Sequence, residues 1–263
     1  NVSVATDGRE KDLSDGWEFR RPGGDWHAVT VPHDWAIGGP FDRAIDRQVV
    51  RIVENGETKA TEKTGRTGSL PWIGSGEYRR RLVLPADAEW ASLVFDGAMS
   101  EPEVFLDGRR IGGWKYGYTP FEVELGAGCA GGGHELVVRL NNREQSSRWY
   151  PGAGLYRPVR LRWGRKVGVR TWGQQILTPD LRTVVVKTDL RNPDGARTEV
   201  SYRVLGPDGA EVARGPSPLA IPRPRPWTPE DPALYALETT VKANGETVEV
   251  RRDRFGLRTI RYG

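Results

Sequence analysis

The sequence contains little that could support disulfide, redox or thiol chemistry. Among its 263 residues there is one cysteine, Cys129, and one methionine. A single cysteine excludes an internal disulfide bond. Cys129 lies in a glycine-rich stretch with no base indicated nearby, so we interpret it as an incidental thiol. A chain without disulfides fits the cytoplasm but is also compatible with export, and the compartment therefore stays open.

Long apolar runs and a strong charge imbalance are also absent. No run approaches the roughly 20 residues that a membrane-spanning helix needs, so no membrane partner is predicted. The first five residues do not resemble a signal peptide, and we expect that none exists or that one has been removed. The formal net charge is only +4, and basic and acidic residues interleave. A nucleic-acid partner is not predicted, because such proteins concentrate positive charge on one face.

Metal, phosphate and catalytic motifs are missing as well. The three histidines, His27, His33 and His134, are scattered without metal-ligand spacing, and we predict that each is an edge or surface residue. No glycine-rich phosphate loop opens a helix. No apolar setting marks a carboxylate as a general acid. The sequence therefore predicts no metal, no cofactor and no catalytic residue, which is typical of a binding or structural module.

The residues that are abundant predict β-structure. Apolar and polar residues alternate at 121–125 and 159–163, as in strands with one buried face. No convincing helical periodicity extends beyond two turns. Turn dipeptides, in which glycine supplies the positive φ of tight hairpins, separate the apolar runs; they are Asn55-Gly56, Asp107-Gly108, Asp194-Gly195, Asp208-Gly209 and Asn244-Gly245. Regular β-spacing without helices predicts an all-β protein built from sandwiches.

The composition changes near Arg165, which predicts two domains, 1–165 and 166–263. The second has the length of an immunoglobulin-like sandwich, about 100 residues. A proline-rich stretch at 216–232 is predicted to be an edge crossing or a long loop, because proline donates no hydrogen bond to a sheet. Segment 38–75 is irregular and contains one predicted hairpin about Asn55.

One segment combines the residue types that bind sugars. Residues 146–159, with the sequence SSRWYPGAGLYRPV, place Arg148, Trp149 and Tyr150 before a pair of glycines. An aromatic ring covers the apolar face of a pyranose, and an arginine donates to its hydroxyl groups. The alternative is that Trp149 and Tyr150 only cap the end of a sandwich, since binding loops and capping loops look alike. The residues alone leave both interpretations open.

Several motifs, in order along nearly the whole chain, resemble bacterial β-galactosidases of glycoside hydrolase family 2. The motifs are LSDGWEF at 13–19, VPHDW at 31–35, GPFD at 39–42, GEYRR at 76–80, FDG at 95–97, EVFLDG at 103–108, YGYTPF at 116–121, RWYPGAGLYR at 148–157, WTPEDPALY at 227–235 and RFGLR at 254–258. The last two resemble the end of that family's immunoglobulin-like domain.

The resemblance implies a galactose-binding-like jelly-roll domain at 1–165 and an immunoglobulin-like domain at 166–263. In the family a (β/α)₈ barrel follows and supplies two glutamates, and this chain stops where the barrel should begin. The chain is therefore expected to be the non-catalytic front portion of a retaining exo-glycosidase. Its partners are then the catalytic barrel of the same polypeptide and a terminal β-linked sugar. β-Galactosides fit the motifs best, while β-glucuronides, β-mannosides and galacturonides stay open.

The resemblance also suggests roles for individual residues. Arg148 is expected to donate to the hydroxyl groups of the terminal sugar, and Trp149 to shape the pocket wall. Asp34 is expected to orient this loop or to reach the pocket. Phe41 and Asp42 are weaker candidates of the same kind.

Two other interpretations of the chain and two structural questions stay open. The chain could be a free-standing carbohydrate-binding module, or a structural or adhesion protein in which Arg148 and Trp149 are packed away from any cleft. Glu77 stands where many relatives carry tryptophan, so one aromatic contact is expected to be absent. The hairpin around Asn55 is interpreted as a lid or an assembly contact, and a homo-oligomer is not excluded.

Overall fold

The computed structural model describes residues 9–39, 41–42, 44, 48–63, 70, 73–126, 131–143 and 149–260. All the regular secondary structure of these residues is β-strand, and the prediction of an all-β protein is confirmed. None of the described residues lies in a helix of the length and hydropathy that a bilayer crossing requires.

Two compact units make up the described chain. One comprises Lys11–Arg162, and the other comprises the residues from Trp163 onward together with Arg9 and Glu10. A domain boundary at Arg165, defined as the limit of independent folding, stays a prediction.

The first unit is a jelly-roll β-sandwich with a four-stranded sheet and a six-stranded sheet. Their strand orders are β1-β12-β7-β10 and β3-β2-β6-β11-β8-β9. A further two-stranded sheet, β4-β5, is separate from both. The strands are β1 (Glu10–Asp12), β2 (Trp17–Arg20), β3 (His27–Val29), β4 (Gln48–Glu54), β5 (Glu57–Lys63), β6 (Gly74–Val83), β7 (Trp90–Phe95), β8 (Glu103–Leu106), β9 (Arg109–Gly113), β10 (Phe121–Glu124), β11 (Gly133–Asn142) and β12 (Val159–Gly164).

The core of the jelly roll follows from strand alternation. In β2 the side chains of Trp17 and Phe19 are buried, while those between and after them are partly exposed. Tyr78 in the neighbouring β6 is fully buried and packs edge-on against Trp17, with ring centroids 6.3 Å apart. β6 and β11 pair antiparallel over ten residues and form the centre of the larger sheet. Period-two alternation therefore aims one face of each strand into the core.

The second unit is an immunoglobulin-like sandwich of two sheets, ordered β13-β14-β17 and β16-β15-β18-β19. Its core includes Val184, Val204, Tyr235, Leu237 and Leu257. The strands are β13 (Gly168–Leu177), β14 (Thr183–Arg191), β15 (Thr198–Leu205), β16 (Glu211–Gly215), β17 (Leu219–Ala220), β18 (Tyr235–Ala243) and β19 (Glu246–Phe255). Both parts of the predicted fold class are confirmed.

The turn dipeptides lie where the sequence predicts hairpins. In Asn55-Gly56, Asp107-Gly108 and Asn244-Gly245 both residues have positive φ, as type I′ turns require. They connect β4 to β5, β8 to β9 and β18 to β19. The proline-rich stretch at 216–232 contains only the two-residue β17, which pairs with β14 at the edge of its sheet. Both expectations are thus confirmed, while the lid or assembly role of the β4-β5 hairpin stays a prediction.

Candidate functional site

The candidate site is built around residues 149–158, which connect β11 to β12 and are called the aromatic loop below. Two backbone hydrogen bonds hold the loop against the segment that follows β3. The amide of His33 donates to the carbonyl of Leu155 at 2.8 Å, and the amide of Trp35 donates to that of Ala153 at 3.2 Å. The VPHDW motif and the aromatic loop, more than 100 residues apart in the sequence, therefore form one structural unit.

Gly154 fixes the same loop from another side. Its amide and carbonyl both pair with the backbone of Met99, at 2.8 and 2.9 Å. Its φ is +98°, and a Cβ at this position would lie 2.1 Å from the buried hydroxyl of Tyr78. Only glycine therefore fits here, because any side chain would meet both an unfavourable backbone conformation and an occupied space.

Asp34 holds the beginning of the aromatic loop. Its Oδ2 accepts a hydrogen bond of 2.5 Å from the hydroxyl of Tyr150, and its Oδ1 accepts one of 3.0 Å from the amide of Ala36. Burial and the adjacent Asp34 carboxylate raise the pKa of Tyr150 well above its usual value, so the phenol stays protonated and remains a donor. Because both carboxylate oxygens bind groups of this chain, the geometry favours a loop-orienting role for Asp34.

Trp149 is exposed, although Tyr150 and residues 153–155 after it are held by hydrogen bonds. Its side chain is 59% exposed, and its indole Nε1 donates to the hydroxyl of Tyr118 at 2.8 Å. The ring of Tyr118 in turn lies 5.5 Å from that of Tyr116, centroid to centroid. Whether Trp149 caps the sandwich or contacts a sugar stays a prediction. The arrangement presents an oriented aromatic surface to solvent.

The structure brings together two of the three site residues that the sequence predicts. Tyr150 hydrogen-bonds to Asp34 and directly follows Trp149, which joins both predicted residues to one loop. Arg148 lies outside the described residues. Phe41 is 72% exposed, and the carboxylate of Asp42 accepts a hydrogen bond from the amide of Ala44 at 2.8 Å.

Glu77 occupies a position on the outer side of β6 and has an ionic role. Its carboxylate bridges the guanidinium groups of Arg20 and Arg139, at 2.6 and 2.7 Å. Although partial burial opposes it, these two arginines hold the pKa of Glu77 below its usual value. Glu77 therefore contributes an ion-pair bridge across β2, β6 and β11, and no aromatic surface.

The histidines have partners that account for them without a metal. Nδ1 of His33 lies 2.8 Å from the hydroxyl of Tyr78, and Nδ1 of His134 lies 2.7 Å from a carboxylate oxygen of Asp107. His27 packs edge-on against the ring of Phe19. Within the described ranges no group of three or more His, Cys, Asp or Glu side chains is arranged to hold a metal ion. Cys129 lies outside the described residues.

Apart from Asp34, the residues that support the loop were not among those predicted from the sequence. Tyr118 supports Trp149, and His33 and Tyr78 lie behind Gly154. Tyr118 belongs to the YGYTPF motif. That motif drew attention to Tyr118 but did not indicate that Trp149 is its hydrogen-bond partner. Pairs such as Asp34 and Tyr150, separated by 116 positions, are determined only by strand pairing in the folded chain.

Comparisons with known proteins bear on the identity of this fold and loop. Residues 169–258 match the sequence profile of glycosyl hydrolases family 2. The chain is 32% identical to a β-galactosidase, BoGH2A, of Bacteroides ovatus, over 94% of this chain and 30% of the relative. It is 25% identical to a β-glucuronidase of Bacteroides fragilis, over 94% of this chain and 37% of the relative.

Solved structures show the same fold. A β-glycosidase from Bacteroides vulgatus superposes with a TM-score of 0.80 and 21% identity, covering 97% of this chain and 34% of its own. A glycosyl hydrolase family 2 member from Bacteroides cellulosilyticus gives 0.77 at 21% identity, covering 97% of this chain and 36% of its own. The chain thus spans about a third of the length of these proteins. The resemblance of the chain to glycosyl hydrolases family 2 is thus confirmed, since the family profile matches residues 169–258 and the two relatives align with 94% of the chain.

Proposed function

We propose that this chain is a non-catalytic section of a retaining exo-β-glycosidase and forms one wall of its sugar pocket. A (β/α)₈ barrel of the same polypeptide would supply the two glutamates, which retaining hydrolysis places about 5–5.5 Å apart. The proposal is supported by relatives named β-galactosidase and β-glucuronidase, of which this chain spans about a third. β-Galactosides are the proposed substrates, in keeping with the motifs at 13–42 and 148–157.

The observation that carries the proposal is the exposed, oriented indole of Trp149. Most of the aromatic loop is pinned by backbone hydrogen bonds to residues 33–35 and to Met99. The indole is held by Tyr118 but leaves more than half of its surface open. A rigid flat apolar surface binds the C–H face of a pyranose with little loss of conformational entropy.

Each predicted site residue has a proposed role in this arrangement. Trp149 packs against the terminal sugar, and Arg148 donates hydrogen bonds to its hydroxyl groups. Asp34 is a positioning residue that acts through Tyr150 on the loop. The proposed domains are the jelly roll at 1–165, which carries these residues, and the immunoglobulin-like domain at 166–263. The proposed partners are the barrel and the terminal β-linked sugar.

The test is made in the complete polypeptide that contains this chain. Arg148→Ala and Trp149→Ala should each lower kcat/KM for a chromogenic β-galactoside about tenfold, which corresponds to about 1.4 kcal/mol of transition-state binding. Trp172→Ala is the matched control, because Trp172 is a similarly exposed tryptophan in the immunoglobulin-like unit. Unchanged kcat/KM in both loop variants, with folding intact, would reject the pocket-wall role.

Asp34 requires a readout that separates positioning from stability. Asp34→Asn should lower kcat/KM in the otherwise unchanged enzyme but have little further effect when Trp149→Ala is already present, because it acts through the same loop. Additive losses would instead show that Asp34 acts independently of Trp149.

The isolated 263-residue chain provides a second test. It should not cleave the chromogenic galactoside, because the proposed catalytic glutamates belong to the barrel. Cleavage by purified chain that is free of contaminating hydrolase would overturn the proposal.

A further inference from the structure

A second surface of the jelly roll has features of a binding site. A groove of about 710 Å³ lies beside the β8-β9 hairpin and the end of β11. Its lining includes two exposed aromatic side chains, Trp114 and Tyr116, which are 47% and 59% exposed. Two large exposed rings in one groove form an apolar surface of the kind that marks binding sites.

The indole of Trp114 is a rigid platform. Its ring is nearly parallel to that of Phe121, at an angle of 6° and a centroid distance of 6.1 Å, and Phe121 is parallel to the buried Phe95 at 4.6 Å. Its Nε1 donates to Oγ1 of Thr119 at 2.9 Å. Its backbone amide donates to the carbonyl of Pro102 at 3.0 Å. The stack therefore extends from the core to the surface and holds the indole in one orientation.

The polar lining of the groove includes two ion pairs, together with Lys115 and Asn141. Arg143 pairs with Glu101 and Arg110 pairs with Glu103, each at 3.0 Å. Three cations, Arg110, Lys115 and Arg143, and the two carboxylates of these pairs line the groove, so its formal charge is only +1 and gives a phosphate or an acidic polymer little advantage over a neutral ligand. They still present donors and acceptors at the rim, because a carboxylate and a guanidinium each make several hydrogen bonds. Such a rim around an aromatic face suits a neutral, polyhydroxylated ring.

The groove is connected to the candidate site by a row of aromatic rings. Tyr116 lines the groove, its ring lies 5.5 Å from that of Tyr118, and Tyr118 accepts the hydrogen bond from Trp149. A saccharide chain bound on Trp114 would therefore lie beside the aromatic loop. The platform and the loop are nevertheless different surfaces, with different supporting residues.

We propose that the groove at Trp114 is an accessory subsite that binds a neutral β-linked oligosaccharide by stacking a sugar ring on the indole. The ligand class rests on the proposed function, whereas the site rests on the groove and its rings. The subsite would retain a glycan chain close to the pocket wall and is independent of the residues proposed to contact the terminal sugar.

The test uses the 263-residue chain and β-1,4-galactotetraose as the probe. Binding is followed by the shifts of tryptophan indole N–H resonances in ¹H–¹⁵N spectra at millimolar concentrations of the tetrasaccharide, since a half-open groove binds weakly. The resonance of Trp114, assigned from the Trp114→Ala spectrum, should shift on titration. Trp114→Ala should weaken binding about tenfold or more, or about 1.4 kcal/mol, and Trp172→Ala should not change it.

The outcomes separate this inference from the proposed function. Shifts confined to Trp149, with binding unaffected by Trp114→Ala, would support the loop and overturn the groove. If the tetrasaccharide shifts the Trp114 resonance and the Trp149→Ala enzyme is fully active, the results would support the groove and reject the pocket-wall role. No shift of Trp114, or a dimer that Trp114→Ala converts to a monomer in sedimentation experiments, would overturn the subsite. The titration of the wild-type chain tests the subsite even if the Trp114→Ala variant does not fold.

Discussion

Gly154 offers the sharpest test of how the aromatic loop is held. Its φ of +98° is a conformation that side-chain-bearing residues rarely adopt, and a Cβ there would lie 2.1 Å from the hydroxyl oxygen of Tyr78 and 3.0 Å from the carbonyl oxygen of His33. Gly154→Ala therefore meets two penalties. The backbone conformation costs roughly 1–2 kcal/mol, and overpacking against buried groups costs about 1–3 kcal/mol more.

Gly152→Ala is the matched control within the same loop. Gly152 also has positive φ, +85°, but a Cβ added there would come no closer than 3.5 Å to its nearest neighbour, a ring carbon of Tyr156, which is an ordinary contact. Gly152→Ala should therefore show only the conformational cost of roughly 1–2 kcal/mol. The difference between the two variants isolates the steric term at Gly154.

Urea unfolding of the chain, followed by tryptophan fluorescence, measures both costs. Gly154→Ala should lower the free energy of unfolding by roughly 2–5 kcal/mol, the sum of the two penalties, and lower the melting temperature by about 2–4 °C for each kcal/mol. Tyr78→Phe removes the hydroxyl that the new Cβ would meet, so in that background the extra cost of Gly154→Ala over Gly152→Ala should become smaller, although the contact with the carbonyl oxygen of His33 stays. Equal costs for the two glycine variants, or an undiminished cost in the Tyr78→Phe background, would refute the steric explanation.

Two further predictions concern titratable groups that are partly or fully buried. Burial lowers the pKa of His33 below its ordinary value, with a smaller contribution from His27, so the unfolding free energy should fall as pH drops below about 6.5, by at most about 1.4 kcal/mol per pH unit. His33→Asn should flatten this dependence in urea titrations, and an equally steep profile would contradict it. The buried Arg251 and Asp253 form a pair at 2.7 Å in β19. Asp253→Ala should lower the free energy of unfolding by about 3–5 kcal/mol, because it leaves the charge of Arg251 buried without this partner, whereas the double variant Arg251→Met/Asp253→Leu should leave it nearly unchanged. Similar losses in both variants would argue against an unpaired buried charge as the cause.

The β-architecture could be predicted because its signals are local. Alternation at 121–125 and 159–163 and the Asn-Gly and Asp-Gly dipeptides depend on neighbouring residues and on the backbone freedom of glycine. The structure places strands β10 and β12 in the two alternating segments. These features required no knowledge of which strand pairs with which.

The sequence predicted the candidate site only in part. The residue types of the aromatic loop were compatible with a sugar-binding surface and with a cap on the sandwich, and the motif order predicted the family. Neither could distinguish an exposed Trp149 from a capping one, because exposure depends on what the rest of the chain places around the ring. The support of Trp149 by Tyr118 and the ionic role of Glu77 likewise depend on contacts between distant segments.

Patterns of adjacent residues and the order of motifs were enough to predict that this chain is all-β, where its tightest turns lie and which family it resembles. Three contacts became visible only in the folded chain: Asp34 binds Tyr150, Gly154 lies against Tyr78, and Trp114 stands on a column of stacked rings. They could not be predicted because strand pairing brings together residues far apart in the chain. The hydrogen bonds and contacts of a site form only between groups that this pairing has made neighbours.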